Sequence, residues 1–282
     1  MEKSLTKQIK KRIIDEGAAL CGVASVDRFD KYTPGGHRPT KITPDAKSVI
    51  TFAVRQLDTT VENMPYTRYV YSKHHHILND MIDRIALSTS YFLENHGYKA
   101  FPIVSEGFFM VHTDIPIWCH RHSAVEAGLG SIGLSAILIT PQYGPRVRLG
   151  SIITNASLEP SPRFEENLCE KYQKGNGVKK CNLACITNCP KKAIMKTFDR
   201  RLLLDGLDRP KCRGTYGGPK LSESSGPRDS IGMIDGYDAP FVAHLWNFVC
   251  GMCVHSCPVK SKTPPYPSRR YLPRQKVGGI KE

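Results

Sequence analysis

The chain has 282 residues, of which 40% are hydrophobic and 23% charged, a composition typical of globular proteins with one large domain or two of ordinary size. No apolar run approaches the roughly 20 residues that a membrane-spanning helix needs. Residues 1–20 also lack the apolar core of a secretory signal peptide, so we expect a cytoplasmic protein and no membrane partner. The formal net charge of +14 favours anionic partners, either nucleic acid or an acidic protein.

Residues 1–160 are predicted to form a mixed α/β (α+β) domain, because helical and strand patterns follow one another. Segment 4–20 has apolar residues at helical spacing, and segment 48–54, SVITFAV, is a β-rich run after a turn-forming sequence. A helix is predicted over 72–95, closed by Gly97. Its apolar stripe contains Ile77, Leu78, Met81, Ile82, Ile85 and Leu93. Further strands are predicted at 99–105, 135–140 and 147–154, the last two joined across the turn-forming PQYG.

The character of the sequence changes at about residue 161, where cysteines become frequent and apolar periodicity weakens. We predict a second domain over 161–262, interrupted by a long Gly-, Pro- and Ser-rich loop at 213–240. After Pro258 the chain carries seven Lys or Arg against one Glu. Residues 263–282 are therefore predicted to be an extended basic tail.

Eight of the ten cysteines fall into two sets with the same plan: one remote cysteine, two central ones and a terminal Cys-Pro. The first set is Cys169, Cys181, Cys185 and Cys189, and the second is Cys212, Cys250, Cys253 and Cys257. Cytoplasmic cysteines in such patterns favour metal binding over disulfides. Of the two left over, Cys21 lies in an apolar context and is predicted to be a core residue.

The repeated Cys-Pro favours a pair of iron–sulfur clusters. In two-cluster ferredoxins the cysteine before proline ligates the other cluster. Applied here, the rule assigns one [4Fe–4S] cluster to Cys169, Cys181, Cys185 and Cys257, and a second to Cys189, Cys212, Cys250 and Cys253. Two zinc sites of four cysteines each remain an alternative. They are disfavoured because zinc ribbons usually have paired C-x2-C knuckles, and only Cys250 and Cys253 show that spacing.

The segment GLGSIG, Gly128 to Gly133, matches the dinucleotide-binding pattern G-x-G-x-x-G. That motif must follow a strand and open a helix. Here it follows a predicted helix and precedes a predicted strand, so we do not expect a dinucleotide site. Two readings stay open: glycines that admit a ligand close to the backbone, or a helix C-cap with a tight turn.

The sequence EAGLGSIGLSAILITPQYGPRVRLGSIIT (126–154), followed by the two Cys-Pro motifs, resembles the epoxyqueuosine reductases and the reductive dehalogenases. The resemblance covers about residues 40–260. It implies a nitroreductase-like domain that binds a corrinoid, cobalamin, followed by a bacterial-ferredoxin-like segment with two [4Fe–4S] clusters. It also implies corrin contacts for Gly128, Gly130, Gly133, Tyr143, Arg146 and Arg148.

The resemblance is imperfect at the proton donor. In the epoxyqueuosine reductases a catalytic Asp precedes the A-G-x-G motif, but the aligned position here holds Cys119-His120. We therefore expect His120 or Asp114 as the general acid, since these are the usual residue types for that role. The dehalogenase-type donor is a tyrosine, for which Tyr69 and Tyr71 are candidates.

These features predict a reductase that passes electrons through two clusters to a corrinoid, which reduces a substrate. The expected electron donor is an acidic ferredoxin or flavodoxin. An alternative is a ferredoxin-type electron-transfer protein without its own corrinoid, which serves a partner protein. A third hypothesis is a tRNA-modifying reductase, for which the basic tail would bind tRNA phosphates.

Overall fold

The computed structural model describes residues 3–29, 38–64, 68–105, 118–175, 181–195, 207–208, 211–212 and 250–259. The predicted loop at 213–240, the predicted tail at 263–282 and Asp114 lie outside these residues. Within the part of the chain that is described, no helix combines the length and apolarity needed to cross a bilayer.

Helices and strands are mixed up to Thr154, which confirms the predicted α/β class. The elements are α1 (Lys3–Asp15), β1 (Leu20–Ser25), a 3-10 turn (Val26–Phe29), α2 (Pro39–Ile42), β2 (Ser48–Arg55), α3 (Asp58–Glu62), α4 (Arg68–Asn95), β3 (Ala100–Ile103), α5 (His120–Glu126), β4 (Ser131–Ile132), β5 (Leu138–Ile139) and β6 (Val147–Thr154). Short helices follow in the described cysteine-rich part: α6 (Leu168–Lys174), α7 (Ala184–Thr187) and α8 (Met252–Ser256).

The main sheet has four strands in the order β1-β2-β6-β3, and every neighbouring pair is antiparallel. Thr51 of β2 lies between Gly22 of β1 and Ser151 of β6. Strands β4 and β5 pair with each other in a separate two-stranded sheet.

Both faces of the main sheet are covered. Ile50 and Phe52 pack with α1 and α4 on one side, whereas Val49 and Ala53 pack with α5 on the other. Because neither face meets solvent, β2 is buried over residues 48–54, which explains its nearly continuous apolar sequence.

The cysteine-rich part packs directly on this layered unit. Leu134 and Ile139 form a small core with Leu168 and Val259. A second core joins Tyr71 and its neighbours to Val254. The domain boundary near residue 160 stays a prediction. Apolar side chains from before this boundary pack against apolar side chains from after it.

The helical spacing in segment 4–20 corresponds to α1, which covers only the first part of that segment. Helix α1 ends at Asp15, and Gly17 turns the chain with φ 110°, a value that side-chain-bearing residues rarely adopt. Leu20 already belongs to β1, a strand that the sequence analysis missed because its six residues are short and contain a glycine.

The helix over 72–95 is confirmed, although α4 begins at Arg68. Its predicted apolar stripe is buried at Leu78, Ile82, Ile85 and Leu93 and half-buried at Met81, but Ile77 is 61% exposed. Ile77 lies five residues before Ile82, about 140° around the helix, and so falls outside the buried face. The inclusion of Ile77 in that stripe was therefore wrong.

The strand predicted at 135–140 is reduced to β5, because Ala136 adopts a left-handed conformation with φ 56° and closes a turn onto Gly133. The predicted turn at PQYG is confirmed: Thr140 N–H donates to the Gly144 carbonyl at 2.9 Å. The strands that it joins belong to different sheets.

One glycine fixes the approach of α5 to the sheet. A Cβ atom at Gly22 would lie 2.2 Å from the Ala127 carbonyl oxygen. We predict that Gly22→Ala lowers the free energy of unfolding by about 2–3 kcal/mol, because backbone must move to admit the methyl group. Gly97→Ala is the control: no atom stands within 4 Å there, and the cost is limited to the left-handed φ of 81°, about 1 kcal/mol. Urea unfolding of both variants checks this, and an equal or smaller loss for Gly22→Ala would contradict it.

Candidate iron–sulfur site

Four cysteines from distant parts of the sequence lie together below β4 and β5. Cys169 is buried in α6, Cys181 precedes α7, Cys185 lies in α7, and Cys257 follows α8. Burial, with added repulsion from the sulfurs of Cys169 and Cys181, raises the pKa of Cys185 to about 12. Burial likewise raises the pKa of Cys257 to about 12, with added repulsion from the other three sulfurs. Cys185 and Cys257 therefore each lie close to the other members of the group.

This grouping joins Cys257, from the second Cys-Pro, to three cysteines of the first set. It is the exchange that the ferredoxin rule predicts. Raised pKa values mean that these buried thiols resist ionisation when no cation stands among them. The positive charge of a bound metal centre would remove that penalty, because a coordinating thiol is deprotonated outright.

The surroundings of Cys169 suit a thiolate ligand. Its sulfur accepts hydrogen bonds from the Leu134 backbone N–H at 3.4 Å and from Gln173 Nε2 at 3.1 Å. Apolar side chains of the same small core exclude water, among them Leu134, Ile139 and Val259. Hydrogen bonds to sulfur and burial are the factors by which a protein sets a cluster's reduction potential.

The second set gathers around Cys253. Burial raises its pKa, and the sulfurs of Cys250, Cys212 and Cys185 add to that increase. Since Cys185 belongs to the first set, the two sets are adjacent. Cys189, the proposed fourth ligand of this second cluster, lies just before residues 193–194, which pair with residues 207–208 just before Cys212. The Ala193 N–H donates to Cys189 Sγ at 3.3 Å.

Backbone geometry holds α7 and α8 in place. Leu183 and Gly251, which cap the two helices, have φ values of 55° and 63°. Asn188 Nδ2 donates to Ser256 Oγ at 3.0 Å and links the ends of the helices. His255 Nδ1 donates to the Val61 carbonyl at 3.0 Å and fastens α8 to α3.

Tyr71 supports the loop that carries Cys250 and Cys253. Its side chain is 2% exposed, and a Cβ atom at Gly251 would stand 2.5 Å from its ring. The sequence analysis considered both Tyr69 and Tyr71. The structure separates them, because Tyr69 lies on the outer face of α4 and is 51% exposed. The role of Tyr69 as proton donor stays a prediction.

No three His, Cys, Asp or Glu side chains among the described residues converge tightly enough to hold a single metal ion. The thiolates of an iron–sulfur cluster stand farther apart than the ligands of one ion, because the inorganic core lies between them. Metal analysis, rather than geometry alone, separates iron–sulfur from zinc here.

The glycine motif acts as a helix cap. Gly128 has φ 78°, its N–H donates to Val125, and the Leu129 N–H donates to Ala124, the hydrogen bonds of a Schellman-type ending of α5. The motif follows a helix, as predicted, and the strand β4 lies inside it rather than before it, so the dinucleotide order is absent here.

The three glycines of the motif also stand against protein. A Cβ at Gly128 would lie 2.0 Å from the Pro162 carbonyl oxygen, and one at Gly130 would lie 2.2 Å from that of Ile139. One at Gly133 would lie 2.6 Å from the Ile139 side chain and 3.7 Å from Cys169 Sγ. These positions need glycine for internal packing, and Gly133 borders the first cysteine set. Their contact with a corrin stays a prediction.

The arginines of the PRVR segment are engaged within the protein. Arg146, just before β6, is 1% exposed and donates to Asp58 at 2.8 Å and to Glu62 at 3.1 Å. Arg148 donates twice to Asn79 of α4, at 3.0 and 2.7 Å. Tyr143 is half-buried, with the Arg55 guanidinium 5.4 Å from its ring centre.

His120 opens α5 and joins a chain of buried hydroxyls. Its Nε2 lies 3.0 Å from the Val104 carbonyl oxygen and its Nδ1 lies 2.9 Å from Ser151 Oγ. A carbonyl only accepts, so Nε2 carries the proton and Nδ1 accepts from Ser151. Ser151 continues to Ser123, which contacts Thr51.

Burial lowers the pKa of His120 to about 4, and the charges of Arg148 and Arg121 lower it further. The ring is therefore neutral near pH 7, with both nitrogens occupied. Its role as a general acid stays a prediction, and Asp114 lies outside the described residues.

Comparison with known proteins gives a consistent set of relatives, although no protein-family model matches. The chain is 30% identical over 148 residues to a tetrachloroethene reductive dehalogenase of Sulfurospirillum multivorans, a match that covers 48% of this chain and 22% of that protein. It is 23% identical over 222 residues to an epoxyqueuosine reductase of Lactococcus garvieae, covering 68% and 57%. The chain thus spans less than two thirds of these relatives.

Solved structures show the same fold. Epoxyqueuosine reductase from Streptococcus thermophilus matches with a TM-score of 0.52 at 19% identity, over 93% of this chain and 67% of that one. The catabolic reductive dehalogenase NpRdhA, in complex with 3-bromo-4-hydroxybenzoic acid, matches with a TM-score of 0.56 at 17% identity, over 74% and 28%. The suspected relationship to these two groups is confirmed.

The buried Arg146 gives a pH-dependent prediction. Partial burial would raise the pKa of Asp58, but the hydrogen bond and charge of Arg146, with those of Arg55, lower it overall. A carboxyl whose pKa is lowered on folding stabilises the folded state at pH values above its unfolded-state pKa. That stabilisation is lost as the pH falls through its folded-state pKa. We predict that Arg146→Met lowers the free energy of unfolding at pH 7 by about 3 kcal/mol. In this variant the free energy of unfolding should also fall less steeply between about pH 5 and 3 than in the unsubstituted protein.

Arg55→Met is the matched control, because Arg55 also pairs with Asp58, at 2.5 Å, but is 41% exposed. It should cost less than about 1 kcal/mol. Urea unfolding at several pH values measures both. Equal losses of unfolding free energy for the two variants would contradict the prediction, because burial would then not strengthen the ion pairs of Arg146.

Proposed function

We propose that this chain, a relative of the epoxyqueuosine reductases and the reductive dehalogenases, is an iron–sulfur reductase with two [4Fe–4S] clusters and a corrinoid. These relatives are reductases, which supports an oxidoreductase. We propose a nitroreductase-like domain over 1–160 and a ferredoxin-like domain over 161–262 as its two parts.

The observation that carries the proposal is the convergence of Cys169, Cys181, Cys185 and Cys257. Thiols gathered in this way on an apolar background ionise readily only when a cationic core binds them, so their convergence suits a metal centre. A second set around Cys253 shares Cys185 as a neighbour. Single electrons could therefore pass between two clusters over a short path inside one chain.

Both sets border the N-terminal layer, where a substrate-reducing cofactor would have to sit. The first set touches it at Gly133, and the second at the contact of Gly251 with Tyr71. The chain's own contribution is to bring the clusters against this layer, to exclude water with apolar side chains and to donate N–H groups to the sulfurs.

The two kinds of cofactor differ in how well the described residues suit them. The cysteine sets fit iron–sulfur clusters in residue type, number and burial. The six residues expected beside the corrin are less suited, since the glycines pack against protein and both arginines bond within it. The proposal of a corrinoid therefore rests on the similar proteins. The structure of one of them, a reductive dehalogenase, suggests a mechanism for B12-dependent dehalogenation. When bound, a corrinoid supplies a cobalt centre that exchanges single electrons with its surroundings.

That packing favours a second candidate function: an electron-transfer protein without a corrinoid of its own, which reduces a partner protein.

In either case the net charge of +14 suits an acidic donor such as ferredoxin or flavodoxin. A tRNA partner is proposed from the same charge and from a structural neighbour with a bound tRNA stem loop. We propose a cytoplasmic setting, since reducing conditions keep thiols available for metal.

Iron and cobalt content tests the proposal. After anaerobic cluster reconstitution, incubation with hydroxocobalamin and desalting, we expect about eight irons and about one cobalt per chain. About eight irons without cobalt would contradict the corrinoid and leave the electron carrier. Zinc in place of iron would contradict both. Cys21→Ala is the matched control and should keep all the iron, because Cys21 belongs to neither set.

Paired substitutions test the exchange of the Cys-Pro ligands. If Cys169 and Cys257 bind one cluster, Cys169→Ala with Cys257→Ala should retain about four irons. Combining Cys169→Ala with Cys189→Ala should remove nearly all iron, because each cluster then loses a ligand. Grouping by sequence order requires the opposite results, so iron analysis of the two double variants decides between the arrangements.

A further inference from the structure

Helix α4 has a buried face and an outer face that differ sharply. Over its 28 residues the buried side chains pack on the sheet and on α1. The outer face forms one straight stripe at alternating spacings of three and four residues. Its members are Val70, Lys73, Ile77, Asp80, Arg84, Leu87, Tyr91 and Glu94, all exposed.

This stripe carries large apolar side chains that no described residue covers. Ile77 is 61% exposed, Tyr91 58%, Val70 52% and Leu87 47%. Two grooves, of about 520 and 320 Å³, run beside the stripe toward α1, and Arg84 lines both. Single exposed apolar residues are ordinary, but a row of them along 28 residues of helix marks an interaction surface.

The stripe is also symmetric about its centre, at the level of Ile82. Asp80 and Arg84 lie two residues to either side of that level, Ile77 and Leu87 five, and Lys73 and Tyr91 nine. Two copies of α4 packed antiparallel about a twofold axis there would set Asp80 opposite Arg84 of the partner subunit. Ile77 would meet Leu87 of the partner subunit, and Lys73 would meet Tyr91 of the partner subunit.

We propose that the outer face of α4 binds a second copy of this chain as an antiparallel helix pair. The three inner levels of the pair bring together groups that attract, whereas at the outermost level Val70 would face Glu94 of the partner subunit. Opposite charges meet at the centre, aliphatic side chains flank them, and lysines face aromatic rings toward the ends. The alternating spacing of three and four is that of helices that pack along their length.

A second copy is the occupant that the symmetry requires. A twofold interface places the same surface on both sides, so residue i must suit residue j and the reverse. Among the described residues neither Asp80 nor Arg84 has an ion-pair partner, so both charges are available. What favours a second copy is the identity of the residues, since the acidic and the basic residue that flank the centre complement each other in an antiparallel pair.

Reversing charges tests this arrangement without touching the core, since both residues are exposed. The full-length, cluster-loaded protein would be studied by sedimentation velocity and light scattering near 0.15 M salt, where its net charge is largely screened. We expect the unsubstituted chain to be dimeric at micromolar concentration. Asp80→Arg alone and Arg84→Asp alone each set like charges at the centre and should raise the dimer dissociation constant at least about 30-fold.

The decisive result is rescue. The double variant D80R/R84D restores opposite charges and should dimerise again. An equimolar mixture of the D80R and R84D single variants should form a heterodimer, although each alone is monomeric. Lys7→Asp is the matched control, because it makes the same charge change as Arg84→Asp on the exposed surface of α1 and should leave the dimer intact.

A monomeric unsubstituted chain up to about 100 µM, far above the concentrations at which specific dimers form, would overturn the proposal. So would a dimer that survives both single reversals, since it would use another surface. Loss of dimer in the single variants without rescue in the double variant or the mixture would also overturn it, because the charges would then not face each other. None of these outcomes affects the iron–sulfur assignment.

Discussion

The burial of sulfur beside sulfur is the constraint on which this structure depends. Cys257 lies among cysteines that precede it by 72 to 88 residues, and Cys253 lies beside Cys185, 68 residues before it. Burial, with repulsion from the neighbouring sulfurs, raises the thiol pKa values of Cys185 and Cys257 to about 12, so these thiols resist ionisation when no cation stands among them. A positive core bound among the sulfurs would remove that penalty, because a coordinating thiol is deprotonated.

Other features of the chain serve that convergence. The left-handed backbone at Leu183 and Gly251 turns α7 and α8 toward each other. His255 and Tyr71 attach the second set to α3 and α4, and the cap of α5 brings Gly133 against Cys169. The layered α/β unit is thus a rigid support against which both cysteine sets are built.

The sequence was sufficient where the chemistry is local. The Cys-Pro repeats predicted that Cys257 belongs with Cys169, Cys181 and Cys185, and these four lie together in the structure. Their assignment as cluster ligands stays a prediction. The order of elements around GLGSIG ruled out a dinucleotide motif. Strands β2 and β6 were predictable because both faces of the sheet are buried and their residues are apolar and β-branched.

Features that depend on distant contacts were not predictable. Nothing near Arg146 in the sequence shows that its partners are Asp58 and Glu62, more than 80 residues away. The need for glycine at positions 128 and 130 comes from backbone at Pro162 and Ile139. Ile77 was assigned to the core because periodicity alone places the edge of an apolar stripe poorly. Its exposure is what reveals the outer face of α4.

The most direct test of the central claim is electron paramagnetic resonance of the reconstituted, reduced protein. Because Cys185 neighbours both cysteine sets, the account predicts two reduced clusters close enough for their spins to interact. The spectrum should be broadened beyond that of a single cluster, and a Cys253→Ala variant should return the simple signal of one cluster. A spectrum of two independent clusters would contradict the adjacency, and a protein with zinc and no reducible iron would contradict the account altogether.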